Sequence, residues 1–179
     1  MSRLRTLLRK FSKDTKGVSA LEFALIAPIL IILYLGTAEL TMALTADRKV
    51  TGAANTVADL IAQDDFVSDT ELSDILSAGD AIIYPETSSN LALRISSVRM
   101  DIDGDVFIDW SEGRGLTALS ADDVPELPDG LLAPMNSIIM VEAQYPFYGP
   151  FPSDSGPLMT LSDTAYLRPR RSAWVRREG

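Results

Sequence analysis

The sequence predicts an α+β protein: a long N-terminal helix, its first part membrane-spanning, packed on a small, mainly antiparallel β domain. Three observations predict it. Phe23 to Ala38 carries no charge. Val50, Ala53, Ala54, Val57, Leu60 and Ile61 then continue a three-to-four spacing, the repeat of one helix face. Beyond residue 63 the apolar residues fall in short runs broken by Gly, Pro and Asp, as in strands joined by turns.

The basic flank sets the orientation of the first element. Residues 1–17 hold six basic side chains (Arg3, Arg5, Arg9, Lys10, Lys13 and Lys16) against Asp14 alone. Residues 50–167 hold 20 acids and three bases, and residues 168–179 hold five arginines and Glu178. A basic leader before an apolar run keeps the N-terminus in the cytoplasm and sends the rest outside. The acidic middle argues against nucleic acid or an anionic membrane surface as its partner. The length of 179 residues suits one modest domain plus a membrane segment. There is no cysteine and no histidine, which removes disulfides, thiolate chemistry and the commonest general base. No P-loop or Gly-rich phosphate turn is present, and the carboxylates read as a solvated acidic surface. The expectation is a protein that is not an enzyme and holds no cofactor.

The junction of leader and apolar run is the informative stretch: Gly17-Val18-Ser19-Ala20-Leu21-Glu22-Phe23, then hydrocarbon to Gly36. A charge costs little at the edge of a membrane run and about 2.5–3.5 kcal/mol or more at its centre. A plain anchor has no need of Glu22. The pattern resembles the class III signal of type IV pilins and pseudopilins. More narrowly, Gly17 to Pro28 (G-V-S-A-L-E-F-A-L-I-A-P) is similar to the opening of TadE-like proteins, minor pseudopilins of the tight-adherence (Flp) pilus. Tyr145-Pro146-Phe147 and Tyr166-Leu167-Arg168-Pro169-Arg170 suit that family.

The resemblance implies a prepilin peptidase cutting after Gly17, a mature N-terminus at Val18, and Glu22, beside Phe23, serving assembly by pairing with a neighbour's ammonium group. It implies a basic leader 1–17, a pilin-like helix 18–62 and a periplasmic α+β domain 63–179 in the bacterial inner membrane. The implied partners are the peptidase, other minor pseudopilins, the major pilin and the inner-membrane platform. Two other readings stay open. One is a single-pass anchored periplasmic binding or adhesin domain with no pilus role. The other is a secreted protein cut near Gly36-Thr37-Ala38, with a mature N-terminus near Glu39.

Along the helix, Asp47, Arg48 and Lys49 mark the exit from lipid, and Pro28 removes one backbone hydrogen bond. From Val18 to Ile61 the span is roughly 66 Å if continuous. Gln63-Asp64-Asp65 breaks the pattern. Ser68-Asp69-Thr70-Glu71 is a capping box opening a helix over 69–78, with Gly79 as its stop. Ala81–Tyr84 reads as a short strand. Leu91 to Trp110 reads as a hairpin around a three-residue loop, Asp103-Gly104-Asp105. That register pairs Ile102 with Val106, Met100 with Ile108 and Val98 with Trp110 on one face, and Arg99 with Asp109 on the other. Residues 113–135 read as loop, Ser137–Gln144 as a central strand, Tyr145–Pro157 as loop, and Asp163–Leu167 as a last edge strand.

Two charged clusters complete the sequence. Asp101, Asp103, Asp105, Asp109 and Glu112 fall on EF-hand positions 1, 3, 5, 9 and 12. That loop requires glycine at position 6, where Val106 stands. Asp101, Asp103 and Asp105 are thus the sole metal candidates, against the plainer reading of an acidic hairpin tip. The terminal arginines (Arg168, Arg170, Arg171, Arg176, Arg177) are either a solvated end or a docking element for an acidic face of this or a neighbouring subunit.

Overall fold

The computed structural model describes residues 16–150 and 156–178. The basic leader before Lys16 lies outside them. The first element, α1 (Lys16–Ala62), is one 47-residue helix with Pro28 inside it. The chain divides into two compact units, up to Thr41 and from Met42 onward. In the first unit the apolar side chains of α1 are exposed, Phe23 at 71% and Ile32 at 71%. In the second, Val50, Ala53, Ala54, Val57 and Ile61 of the expected stripe are fully buried, with Ala58 beside them, while Leu60 is only half-buried.

After Ala62 come β1 (Phe66–Val67), α2 (Asp69–Ile83) and a 3₁₀ turn (Ser88–Asn90). Then follow β2 (Ala92–Met100), β3 (Val106–Arg114), β4 (Ser137–Phe147), β5 (Met159–Leu167) and β6 (Arg176–Arg177). The main sheet has the order β3-β2-β4-β5, antiparallel throughout. β1 and β6 form a separate parallel pair. Alternation along β4 divides the core. Ile139, Val141, Ala143, Tyr145 and Phe147 join the cluster built on α1 and α2. Ile138 and Met140 join a smaller cluster with Val98 and Ile108, over which Leu119, Leu127, Leu131 and Leu132 pack.

The sequence expectations hold for the capping box. Ser68 Oγ accepts from the Glu71 N–H, and the Glu71 carboxylate accepts from the Ser68 N–H at 2.9 Å and its hydroxyl at 2.8 Å. The helix does not stop at Gly79, however, and the expected strand at Ala81–Tyr84 is its last turn. Gly79 is there for packing. A Cβ on it would lie 3.0 Å from Val57 Cγ2 and 3.3 Å from Leu93 Cδ1, so the glycine lets α2 approach α1 and the sheet.

The hairpin register is also corrected. Met100 pairs with Val106, so the loop has five residues and not three. Asp101 causes this: its Oδ1 accepts from the N–H of both Asp103 and Asp105 at 2.9 Å, and its own N–H bonds the Asp105 carbonyl. Gly104 takes φ +94°, as such a turn needs. A register shift follows between Ser97 and Val98, with Ser97 opposite Trp110 and Val98 opposite Ile108. The extra residue, Asp109, is a β-bulge that turns the strand. Trp110 therefore packs against the α1 core and Ile108 against the opposite cluster. Arg99 still meets Asp109, at 3.0 Å, and its guanidinium lies 4.2 Å from the Trp174 ring centroid.

β4 is central as expected, but it runs on through Pro146 to Phe147. Its β2 partner ends at the Gln144–Ala92 pair while β5 continues to Met159. Pro146 thus sits where β4 has a neighbour on one side only, the position a strand proline tolerates. β5 is the edge, starting at Met159 rather than Asp163.

Two stability tests follow. Gly79→Val should cost about 1–3 kcal/mol through overpacking, whereas Gly52→Ala should be neutral or gain up to about 1 kcal/mol of helix propensity. At Gly52 a Cβ would meet Ile82 Cγ2 at an ordinary 3.4 Å. Thermal melts of the detergent-solubilised chain read both; equal melting of Gly79→Val and wild type would contradict this packing.

The second test is a pH dependence. The hydrogen bonds from the Ser68 backbone, then its hydroxyl, hold the Glu71 carboxyl below its ordinary value. Such a group stabilises fully above its unfolded-state pKa and loses that contribution as pH falls through the lowered one. The stability gap between wild type and Glu71→Gln should therefore narrow as pH drops below 4.5, measured by urea unfolding at stepped pH.

Candidate functional site

The motif at the start of α1 has a definite geometry. Gly17 lies in the first described turn of the helix, and a Cβ built on it meets nothing within 4 Å. Among the described residues nothing in the packing calls for glycine there. Val18 and Glu22 are one helical turn apart and share a face. Val18 is 52% exposed and Phe23 is outward-facing beside them. Glu22 is exposed as well, and among the described residues it has no hydrogen-bond or ion-pair partner.

The apolar segment that follows is long and apolar enough to cross a bilayer, and none of its apolar window is buried in protein. Phe23 to Ala38 spans roughly 24 Å of helix, against a hydrocarbon thickness of about 30 Å. Glu22 and Glu39 therefore stand at its two edges, where a carboxylate can reach the interface. Glu22 is a carboxylate held at the edge of a hydrocarbon-compatible rod, with its lone pairs unused among the described residues. What such a group can do is attract a cation brought to it by another molecule.

The hairpin tip is differently occupied. Asp101 is spent on turning its own loop. Among the described residues no group of three or more Asp or Glu side chains is placed to hold a metal ion. Asp101, Asp103 and Asp105 are thus neighbours in sequence that do not converge.

The terminal arginines are brought onto the domain itself. Arg170 pairs with Asp59 and donates its N–H to the Ala62 carbonyl at 2.8 Å. Arg171 lies 3.7 Å from Asp64 and Arg176 3.8 Å from Asp65. Arg177, with its side chain only 11% exposed, pairs with Asp69 and reaches Glu112 at 3.3 Å. Arg168 donates to the Leu131 carbonyl. Of the two readings of this cluster, docking on an acidic face of the same chain is the one observed. The signal was the row Asp59, Asp64, Asp65, Asp69 around the end of α1, whose partners lie over 100 residues away.

A polar cleft of about 510 Å³ lies between Arg94, Asp123, Glu142 and Tyr166. Arg94 holds Glu142 in a two-pronged pair at 2.6 and 2.7 Å. Hydrogen bonding to that carboxylate pushes the guanidinium up, and burial raises the Tyr166 hydroxyl. The cleft's strongest polar groups satisfy each other across β2 and β4, which is a structural arrangement.

No curated protein and no solved structure matches the chain. The model of one family, described as TadE-like protein, matches residues 17–59. That match covers the Gly17–Glu22 motif, the apolar segment and most of the buried stripe. Over residues 17–59, its N-terminal helix, this chain is thus similar to the TadE-like family.

Proposed function

We propose that this chain is a minor pseudopilin of a tight-adherence (Flp) pilus system. A prepilin peptidase cuts after Gly17 and leaves Val18 as the mature N-terminus. α1 sits in the bacterial inner membrane with its N-terminus cytoplasmic and the domain from Met42 onward periplasmic. The chain is a structural part of the assembly and not an enzyme. Its partners are the peptidase, other minor pseudopilins, the major pilin and the inner-membrane platform.

One observation carries this reading: Gly17 and Glu22 have no role inside the described chain. A glycine that packing does not require suits a scissile bond that must enter another protein's active site. A carboxylate without a partner suits pairing with the ammonium that cleavage creates on a neighbouring Val18. In low dielectric such a pair attracts strongly, and either charge alone is costly.

The expected outcomes separate the two residues. Replacing Gly17 with a bulky residue should leave the leader attached. The six basic side chains of the leader then hold the chain in the membrane, since drawing each into lipid costs several kcal/mol. Glu22→Ala should insert as well as wild type and still be cut, at least in part, but should lose association with partner subunits and piliation. Mass spectrometry of the mature N-terminus, co-purification of pilus components and a pilus count read these outcomes. Normal piliation by a cleaved Glu22→Ala protein refutes the assembly role. Retention of residues 1–17 by the wild type removes the pseudopilin reading.

Topology gives a separate check. A reporter active only in the periplasm, fused after Gly179, should be active. Activity only in the cytoplasm overturns the proposed orientation.

A further inference from the structure

β5 forms one edge of the main sheet. Such an edge carries a row of backbone donors and acceptors that another strand can pair with. The ladder fixes which groups of β5 point outward. The Met100 N–H bonds the Asn136 carbonyl at 3.1 Å, which extends the pairing of Arg99 with Ser137 by one residue. Hydrogen-bonded positions alternate along an antiparallel pair. The even-numbered backbone groups of β4 thus face β2, and the odd-numbered ones face β5. Odd residues of β4 stand opposite odd residues of β5, Val141 opposite Ala165 and Ala143 opposite Asp163. The even residues Thr160, Ser162, Thr164 and Tyr166 therefore turn their backbone N–H and carbonyl groups away from the sheet.

Two donors along this edge are withdrawn. The Thr164 N–H bonds the Asp163 carboxylate at 2.8 Å. Just before β5, the Leu158 N–H turns inward onto the Phe147 carbonyl at 2.9 Å, although Phe147 stands opposite Met159. Asp163 also breaks the pattern of its face. Leu161 and Ala165 on either side of it belong to the core cluster, and alternation puts Asp163 on that same face, where it is half-buried. An inward-pointing charge on an edge strand opposes pairing with another chain.

We infer that Asp163 guards this edge: it keeps β5 of one copy from pairing with β5 of a second. A second β5 is the strand that this edge fits. In an antiparallel pair centred on Ser162, Ser162 faces its own copy and Thr160 faces Thr164, hydroxyl pairs that stabilise neighbouring strands. That register places the Thr164 N–H of each copy on the Thr160 carbonyl of the other, and Asp163 already holds that N–H. A pair centred on residue 163 sets two carboxylates face to face, which is unfavourable. Each two-fold register centred between residues 160 and 164 calls on the Thr164 or the Leu158 N–H. The inference stands apart from the proposed function, since it concerns only the domain from Met42 onward.

The chain has no cysteine, so a thiol placed at Ser162 can cross-link only to the same site on a second copy. Opposed residues in a hydrogen-bonded pair have Cα atoms about 5.5 Å apart, which suits a disulfide. Ser162→Cys is made in the full-length chain alone, with Asp163→Val and with Asp163→Asn. Asp163→Val removes the carboxylate and favours a strand. Asp163→Asn removes the charge but keeps an oxygen for the Thr164 N–H. The detergent-solubilised proteins are oxidised in air, and non-reducing gels read the cross-linked fraction. The expected result is a low fraction for Ser162→Cys alone and with Asp163→Asn, and about tenfold more with Asp163→Val, from the two ladder bonds regained. Asp163→Ala, which adds no bulk, should rise with Asp163→Val. Asp103→Cys carrying Asp163→Val should stay low. No rise with either Asp163→Val or Asp163→Ala overturns the guard. An equal rise at 103 and 162 also overturns it, since the association would then not run through β5. A rise with Asp163→Asn as large as with Asp163→Val overturns the role given to the Thr164 hydrogen bond.

Discussion

The structure depends on one helix face that is half alanine. Val50, Ala53, Ala54, Val57, Ala58 and Ile61 are all without solvent exposure, and three of the six are alanine. Such a face brings neighbouring backbones close. α2 answers with its own bare position at Gly79, against Val57 and Leu93. Interiors are packed to near-crystal density, so single methyl groups are felt here. The approach of α2 sets where Leu72, Ile75 and Ile83 enter the core, and the sheet closes the remaining side with Leu93, Ile95, Val141 and Ala143.

Much of this was legible because it follows from period and from local chemistry. The buried stripe of α1, the capping box at Ser68, the central place of β4 and the glycine at the hairpin tip all announce themselves within a few residues. What was missed depends on partners far away in sequence. Gly79 looks like a helix stop until the helix it packs against is known. The hairpin loop looks like three residues until Asp101 is seen to cap it. The bulge at Asp109 then sends Trp110 and Ile108 to opposite faces, which no alternation count reveals. Pro146 reads as a strand breaker unless β2 is known to end at the preceding pair.

The motif at Gly17 and Glu22 was legible for the opposite reason. Each is the wrong residue for its surroundings: a glycine in a helix and a charge against hydrocarbon. Local rules cannot account for them, and the described residues supply no internal reason either. The terminal arginines showed their charge in the sequence but not their destination. Opposite sign alone permits a neighbour's surface as well as the chain's own, and only the fold places Arg177 between Asp69 and Glu112.

The C-terminal strap bears on the order in which the protein can be made. β6 pairs with β1, and Arg170 and Arg176 bind the backbone of Ala62 and Asp65. The end of α1 is thus finished by residues more than 100 positions later. A chain synthesised from its N-terminus has α1 complete long before those residues arrive. Until then Val67 and the carboxylates around it have no cover, and closure waits on a contact of very long sequence separation, the kind that forms late. The domain therefore cannot lock until its last segment has been made. A chain stalled or clipped just short of Arg170 would be left unfinished, and the cell's proteases could tell it from a completed one by that open end.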